Sequence, residues 1–146
     1  MSVAVKNIPN EQDPKQALLA KIGDLSRFEI GKNEVLLAIY RRSNTLPSGL
    51  AVPDQYTKED IYQGKVGLVV KIGAECVFTH IDPLTGAIFG GVEAQLHDWV
   101  VVRPSDTWAL DINSDPHAVS RADFYPCRLV KPHLIRARIQ NPNMVW

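Results

Sequence analysis

The chain has 146 residues, 45% of them hydrophobic and 22% charged, which suits one domain with its own core and some residues left over for arms. Sixteen basic residues balance sixteen acidic ones, and a formal net charge of zero argues against a global attraction to nucleic acid or to an anionic membrane. Two cysteines are too few for a disulfide framework, and no apolar run approaches the ~20 residues that span a bilayer.

Residues 1–12 read as a polar arm. It begins Met1-Ser2-Val3-Ala4-Val5-Lys6, without the pattern of a secretory signal, so assembly in a cytosol is expected. Val3, Val5 and Ile8, set among smaller and polar residues, suit a strand added to the sheet edge of a neighbouring subunit. Asp13-Pro14 then opens a helix, because the Asp side chain accepts from free backbone N–H groups and proline has none to waste. Leu18, Ile22 and Leu25 form its apolar stripe, with Leu19 beside it, and Gly23 weakens its end. A helix this short is marginal alone, so it is expected to dock on its own barrel or on a neighbour.

From Glu34 the pattern becomes that of strands. Residues 35–40 are apolar on both faces, as in a strand covered on both sides. Residues 41–64 hold Pro47, Gly49 and Pro53 and form a long loop with one apolar patch, Leu50-Ala51-Val52. A strand follows over 65–73. Residues 76–78 and 87–89 flank a turn at Asp82-Pro83-Leu84-Thr85-Gly86 and predict a hairpin. Further strands are expected at 99–103, 108–112, 128–130 and 134–139, with 113–126 as a loop. In the last strand Arg136 and Arg138 fall on one face, opposite Ile135, Ala137 and Ile139. Many short strands and one leading helix point to an all-β barrel or sandwich.

Chemistry-bearing patterns are weak. Asp111-Ile112-Asn113-Ser114-Asp115 begins like a calcium loop, but Pro116 stands where the sharp turn needs glycine, and an ordinary Asx-rich turn is the better reading. His80, His97, His117 and His133 are spread out, with no two at helical or hairpin ligand spacing. Ser105 and Asp106, near His97-Asp98, lie in a turn without a nucleophile-elbow pattern, and no glycine-rich phosphate loop is present. The expectation is a non-enzymatic protein with no catalytic residue, no metal and no cofactor.

The order of elements resembles the GroES-type co-chaperonin family. Val35-Leu36-Leu37-Ala38-Ile39-Tyr40-Arg41-Arg42 is similar to its first barrel strand, which ends in basic residues. Ser48-Gly49-Leu50-Ala51-Val52-Pro53 stands where the family's mobile loop carries a Gly-Gly-Ile-hydrophobic-Leu-Pro segment. The next motif, Gly-x-Val-hydrophobic-x-Val-Gly, is matched by residues 64–73. Leu96-His97-Asp98-Trp99-Val100 resembles a Val-Gly-Asp-x-Val motif, and residues 129–137 resemble the closing strand. The resemblance covers roughly residues 33–139, about three-quarters of the chain. It implies a small GroES-like β-barrel (33–139) with a long loop at 41–64 and insertions at 74–97 and 113–126. An N-terminal helix-bearing arm (1–32) precedes it and a C-terminal tail (140–146) follows.

The arms and insertions are unlike a typical co-chaperonin and resemble phage-encoded relatives of the fold. They imply a virion structural protein, a capsid decoration or cement subunit, whose partners are the major capsid protein and further copies of itself. Extended arms suit such a role because they add interface and tether neighbours. Met144-Val145-Trp146 then serves as an apolar anchor. The alternative is a cytoplasmic co-chaperonin ring that caps a chaperonin through Leu50, Ala51 and Val52, set against the plainer reading that Leu50 and Val52 pack on the barrel or on a neighbour. A nucleic-acid-binding barrel is a third reading, disfavoured by zero net charge and by the lack of an interleaved basic and aromatic strand.

Overall fold

A computed structural model of the protein describes residues 13–41, 64–117, 120 and 123–145. One helix and eight strands make up its regular structure: α1 (Pro14–Ile22), β1 (Val35–Ile39), β2 (Val66–Ile72), β3 (Thr79–Ile81), β4 (Ile88–Gly90), β5 (Trp99–Val101), β6 (Thr107–Ile112), β7 (Tyr125–Val130) and β8 (Ala137–Ile139). Six strands form an antiparallel sheet in the order β6-β7-β1-β2-β5-β8, and β3 and β4 form a separate two-stranded ribbon. The protein is therefore all-β with one helix. Among the described residues no pairing joins β6 to β8, so these strands are the two edges of the main sheet. No described helix is long and apolar enough to cross a membrane.

The centre of the sheet is apolar on both sides, for the reason visible in β1. Its five residues are all buried, and alternation sends Leu36 and Ala38 to one face and Val35 and Leu37 to the other. On the first face they join Leu68, Val70, Trp99, Ile112, Tyr125 and Cys127. On the second they join Val69, Val100, Val102, Val130 and Ile135. Burial pushes the Cys127 thiol up to about 12, so it stays protonated and acts as a small apolar side chain.

α1 closes the first face. The Asp13 carboxylate accepts from the Lys15 amide at 3.1 Å, Pro14 occupies the first turn, and Leu18 and Ile22 enter the core. Of the two docking options, the helix takes its own sheet. A β-bulge in β2 helps to hold the segment after the helix. Leu36 faces Lys71 while Leu37 faces Val69, so Val70 is the extra residue. Lys71 donates from Nζ to the Leu25 carbonyl at 2.7 Å and pins that segment to the sheet. At the end of β2, a Cβ on Gly73 would run into the carbonyl oxygens of Gly31 and Lys32, so the backbones meet there only because glycine has no side chain.

Two sequence expectations need correction. β7 begins at Tyr125, three residues before the expected strand, and includes Pro126. Proline is tolerated because β1 pairs with β7 only from Cys127 to Val130, leaving Pro126 with a partner on one side alone. The expected strand 134–139 is divided: a 3-10 turn spans Pro132–Leu134 and β8 begins only at Ala137. The Ile135 amide closes the turn onto the Pro132 carbonyl at 3.3 Å, which breaks the alternation. Ile135 and Ile139, expected on one face, consequently pack against opposite core clusters.

Candidate interaction surface

The segment between β2 and β5 is rooted in the second core cluster and then leaves it. Cys76 donates from Sγ to the Glu34 carbonyl at 3.3 Å, and Cys76, Phe78, Val92 and Ala94 pack into the cluster. Between these anchors, every residue of β3 and β4 is exposed. The ribbon pairs Thr79 with Gly90, His80 with Phe89, and Ile81 with Ile88. Directly opposed residues share a face, so Ile81 and Ile88 form one apolar face and His80 and Phe89 the other.

The hairpin matches the sequence expectation in its turn. β3 lies three residues later than expected, because Cys76 and Phe78 are spent on anchoring the segment to the core. The turn is densely hydrogen-bonded. Asp82 accepts from the Leu84 amide at 2.9 Å and from the Thr85 hydroxyl at 3.0 Å, and the Asp82 carbonyl accepts from the Gly86 amide at 2.8 Å. The Asp82 amide in turn donates to the Ala87 carbonyl at 2.8 Å. The bonds from Leu84 and Thr85 hold the Asp82 carboxyl below the usual carboxylate range. At the tip of this braced turn Leu84 is 93% exposed.

Val77, Ile81, Leu84, Ile88 and Phe89 thus stand in solvent on one short segment. Between Glu75 and Glu93 the only ionisable side chains are Cys76, His80 and Asp82. Single exposed apolar side chains are ordinary, but four on one braced hairpin and a fifth just before it, with few charges among them, have the character of a contact surface. At the base, Gly90 has φ +80°, and a Cβ there would meet the carbonyl oxygens of Phe78 and His133. The ribbon therefore lies directly against the Pro132–Leu134 turn.

The surfaces expected from sequence fall elsewhere. Leu50, Ala51, Val52, Val3, Val5, Ile8 and Trp146 lie outside the described residues. Met144 is exposed, whereas Val145 packs against the first core cluster. The tail is drawn back where Asn143 accepts a 2.7 Å hydrogen bond from the Tyr40 hydroxyl. The sequence did mark residues 74–97 as an insertion with a hairpin turn inside it. Low charge was the signal available, but it does not distinguish an exposed ribbon from a buried one.

Several other polar groupings serve to hold the fold. Asn113 and Asp115 accept from the amides of Asp115 and His117, each at 3.0 Å, as successive Asx turns. Asp106 binds Arg103 at 2.7 Å and Arg136 at 3.3 Å, and both arginines hold its carboxyl low. A cleft between α1 and β8 is lined by Lys15, Asp98, Trp99, Arg138, Ile139 and Gln140. In it the Asp98 carboxylate accepts from the Gln95 amide and Arg138 donates to the Glu93 carbonyl, so both side chains brace the turn before β5. No model of a known protein family matches the chain, and no curated protein matches it in sequence.

Proposed function

We propose that the chain is a non-enzymatic virion structural protein, a decoration or cement subunit on a GroES-like β-barrel that binds and stabilises a capsid shell. The observation that carries this reading is the braced apolar hairpin, with Leu84 at its tip and Ile81 and Ile88 on one face. Such a surface is costly for a protein that works alone and useful for one that works when covered. A shell offers many copies of one site, so a modest contact per subunit suffices.

The GroES-like part of the reading draws support from two places where family motifs fall. The motif glycine at the end of β2 is Gly73, where a side chain has no room. In the motif before β5 the family's glycine is replaced by His97, and His97 holds φ +70°, a conformation that favours glycine. The co-chaperonin reading keeps one specific support: β1 and β2 are adjacent antiparallel strands, so the chain between them leaves and returns at one end of the sheet, as a docking loop must.

Light scattering on the purified chain and cosedimentation with shells of the major capsid protein of the same virus separate the readings. The decoration reading expects a monomer or small oligomer that cosediments with shells. It also expects at least a tenfold loss of binding in the triple variant Ile81→Ser, Leu84→Ser, Ile88→Ser. A closed seven-subunit ring that binds a chaperonin, and loses it on Leu50→Ser with Val52→Ser, overturns the first reading in favour of the second.

A further inference from the structure

We propose that His80 and His133 form a two-imidazole site for a late first-row divalent transition ion such as zinc or nickel, joining the hairpin to the body of the protein. The two histidines are 53 positions apart in the chain and belong to different elements, β3 and the Pro132–Leu134 turn. Folding brings their ring centres to 5.2 Å, with the planes inclined by 35°. With metal–nitrogen bonds of about 2.0–2.1 Å, two imidazoles on one tetrahedral ion hold their ring centres roughly 5 Å apart, the separation these two rings already have.

Three features prepare the site. The strand paired with that of His80 already lies against the turn carrying His133, because a Cβ on Gly90 would meet the His133 carbonyl oxygen. Phe89 stacks on His80 at 6.1 Å and supports it from within the hairpin. The local charge is moderated: Asp82 is near enough to interact electrostatically with His80, and Lys131 is paired with Glu34.

The donor set decides which ion fits. Two neutral nitrogens suit zinc, nickel or copper, whereas magnesium and calcium require oxygen ligands. Among the described residues no third histidine, cysteine or carboxylate is grouped with the pair as a ligand. His80 is exposed and His133 half-buried, so water or a group from a docked partner completes the coordination. Such an ion exchanges readily and acts as a clamp, setting the angle at which the face bearing Ile81 and Ile88 leaves the body. An ion can bind with no partner present, so the site stands whether or not the protein decorates a capsid.

Zinc chloride titrated into the full, chelator-stripped chain and followed by calorimetry tests it. The expected result is one ion per chain. His80→Gln and His133→Gln should each weaken binding at least about tenfold, while His97→Gln and His117→Gln leave it unchanged. Binding that survives both of the first two substitutions, or no binding below about 1 mM, overturns the proposal. If either variant fails to fold, nickel added to the wild-type chain gives the answer by NMR. Ring signals of His80 and His133 should broaden before those of His97 and His117, and equal broadening of all four overturns the site.

Discussion

β1 and the apolar side chains of the β3–β4 hairpin meet opposite fates. Val35-Leu36-Leu37-Ala38-Ile39 is buried at every position, with α1 packed over one face and the chain between β2 and β5 over the other. Ile81, Ile88 and Phe89 are as apolar, yet all three stand in solvent. Composition does not separate them. Their supports do: β1 lies between β2 and β7 in the main sheet, whereas the hairpin is a two-stranded ribbon tied down by Phe78, by Gly90 and by its turn. A two-stranded ribbon alone is marginal in water, so the bonds around Asp82 do for the hairpin what packing does for β1.

Substitution in the core gives the largest expected effect. Leu36→Ala removes a fully buried side chain between α1 and the sheet, and should cost about 2–5 kcal/mol. Urea unfolding would show this as a lower midpoint at constant slope. A loss below about 1 kcal/mol would mean that the first core cluster is far looser than its burial implies.

An intermediate effect, of opposite sign, is expected where the hairpin segment rejoins the sheet. His97 donates its amide to the Val69 carbonyl at 2.7 Å while holding a positive φ. His97→Gly removes the steric cost of that conformation and should stabilise the protein by about 0.5–1 kcal/mol, net of the entropy glycine adds to the unfolded chain. Destabilisation in the same urea assay would show that the imidazole contributes more than its backbone costs.

The smallest effect concerns acid. Hydrogen bonds from the Leu84 amide and the Thr85 hydroxyl lower the Asp82 pKa in the folded state. A carboxylate lowered on folding contributes fully above its ordinary value of about 3.9, and the contribution fades as pH falls through the lowered folded value. The turn should therefore loosen in that acidic window while β1 stays intact. NMR shifts of the Leu84 and Thr85 amides, followed from about pH 6 to about pH 2, should move together, with a midpoint below that of an ordinary aspartate. A midpoint at or above the ordinary value would show that the turn does not rely on this carboxylate.

Local rules made much of the fold legible in advance. The Asp13-Pro14 helix start, the doubly apolar β1 and the Asp82–Gly86 turn each declare themselves within a few residues, because capping, alternation and turn chemistry act over that distance. The features that escaped depend on partners remote in the chain. Pro126 fits a strand only because β1 stops pairing at Cys127. Ile135 and Ile139 part company because a 3-10 turn intervenes, although their spacing fits one strand face. The candidate surface was half legible: the insertion was visible, its exposure was not. Val145, expected to reach a partner, packs on the body instead. The meeting of His80 with His133 has no local signal, since it is created by the ribbon folding onto a turn some fifty residues later.

The close approach at Gly73 has a consequence for descent. With the Gly31 and Lys32 carbonyls where its side chain would be, mutation to any other residue must move two backbones at once. Solvent-facing positions such as Leu84 carry no comparable steric bar and are free to drift. Distant kin of this chain are therefore better sought by a glycine at the end of the second strand than by likeness across the hairpin.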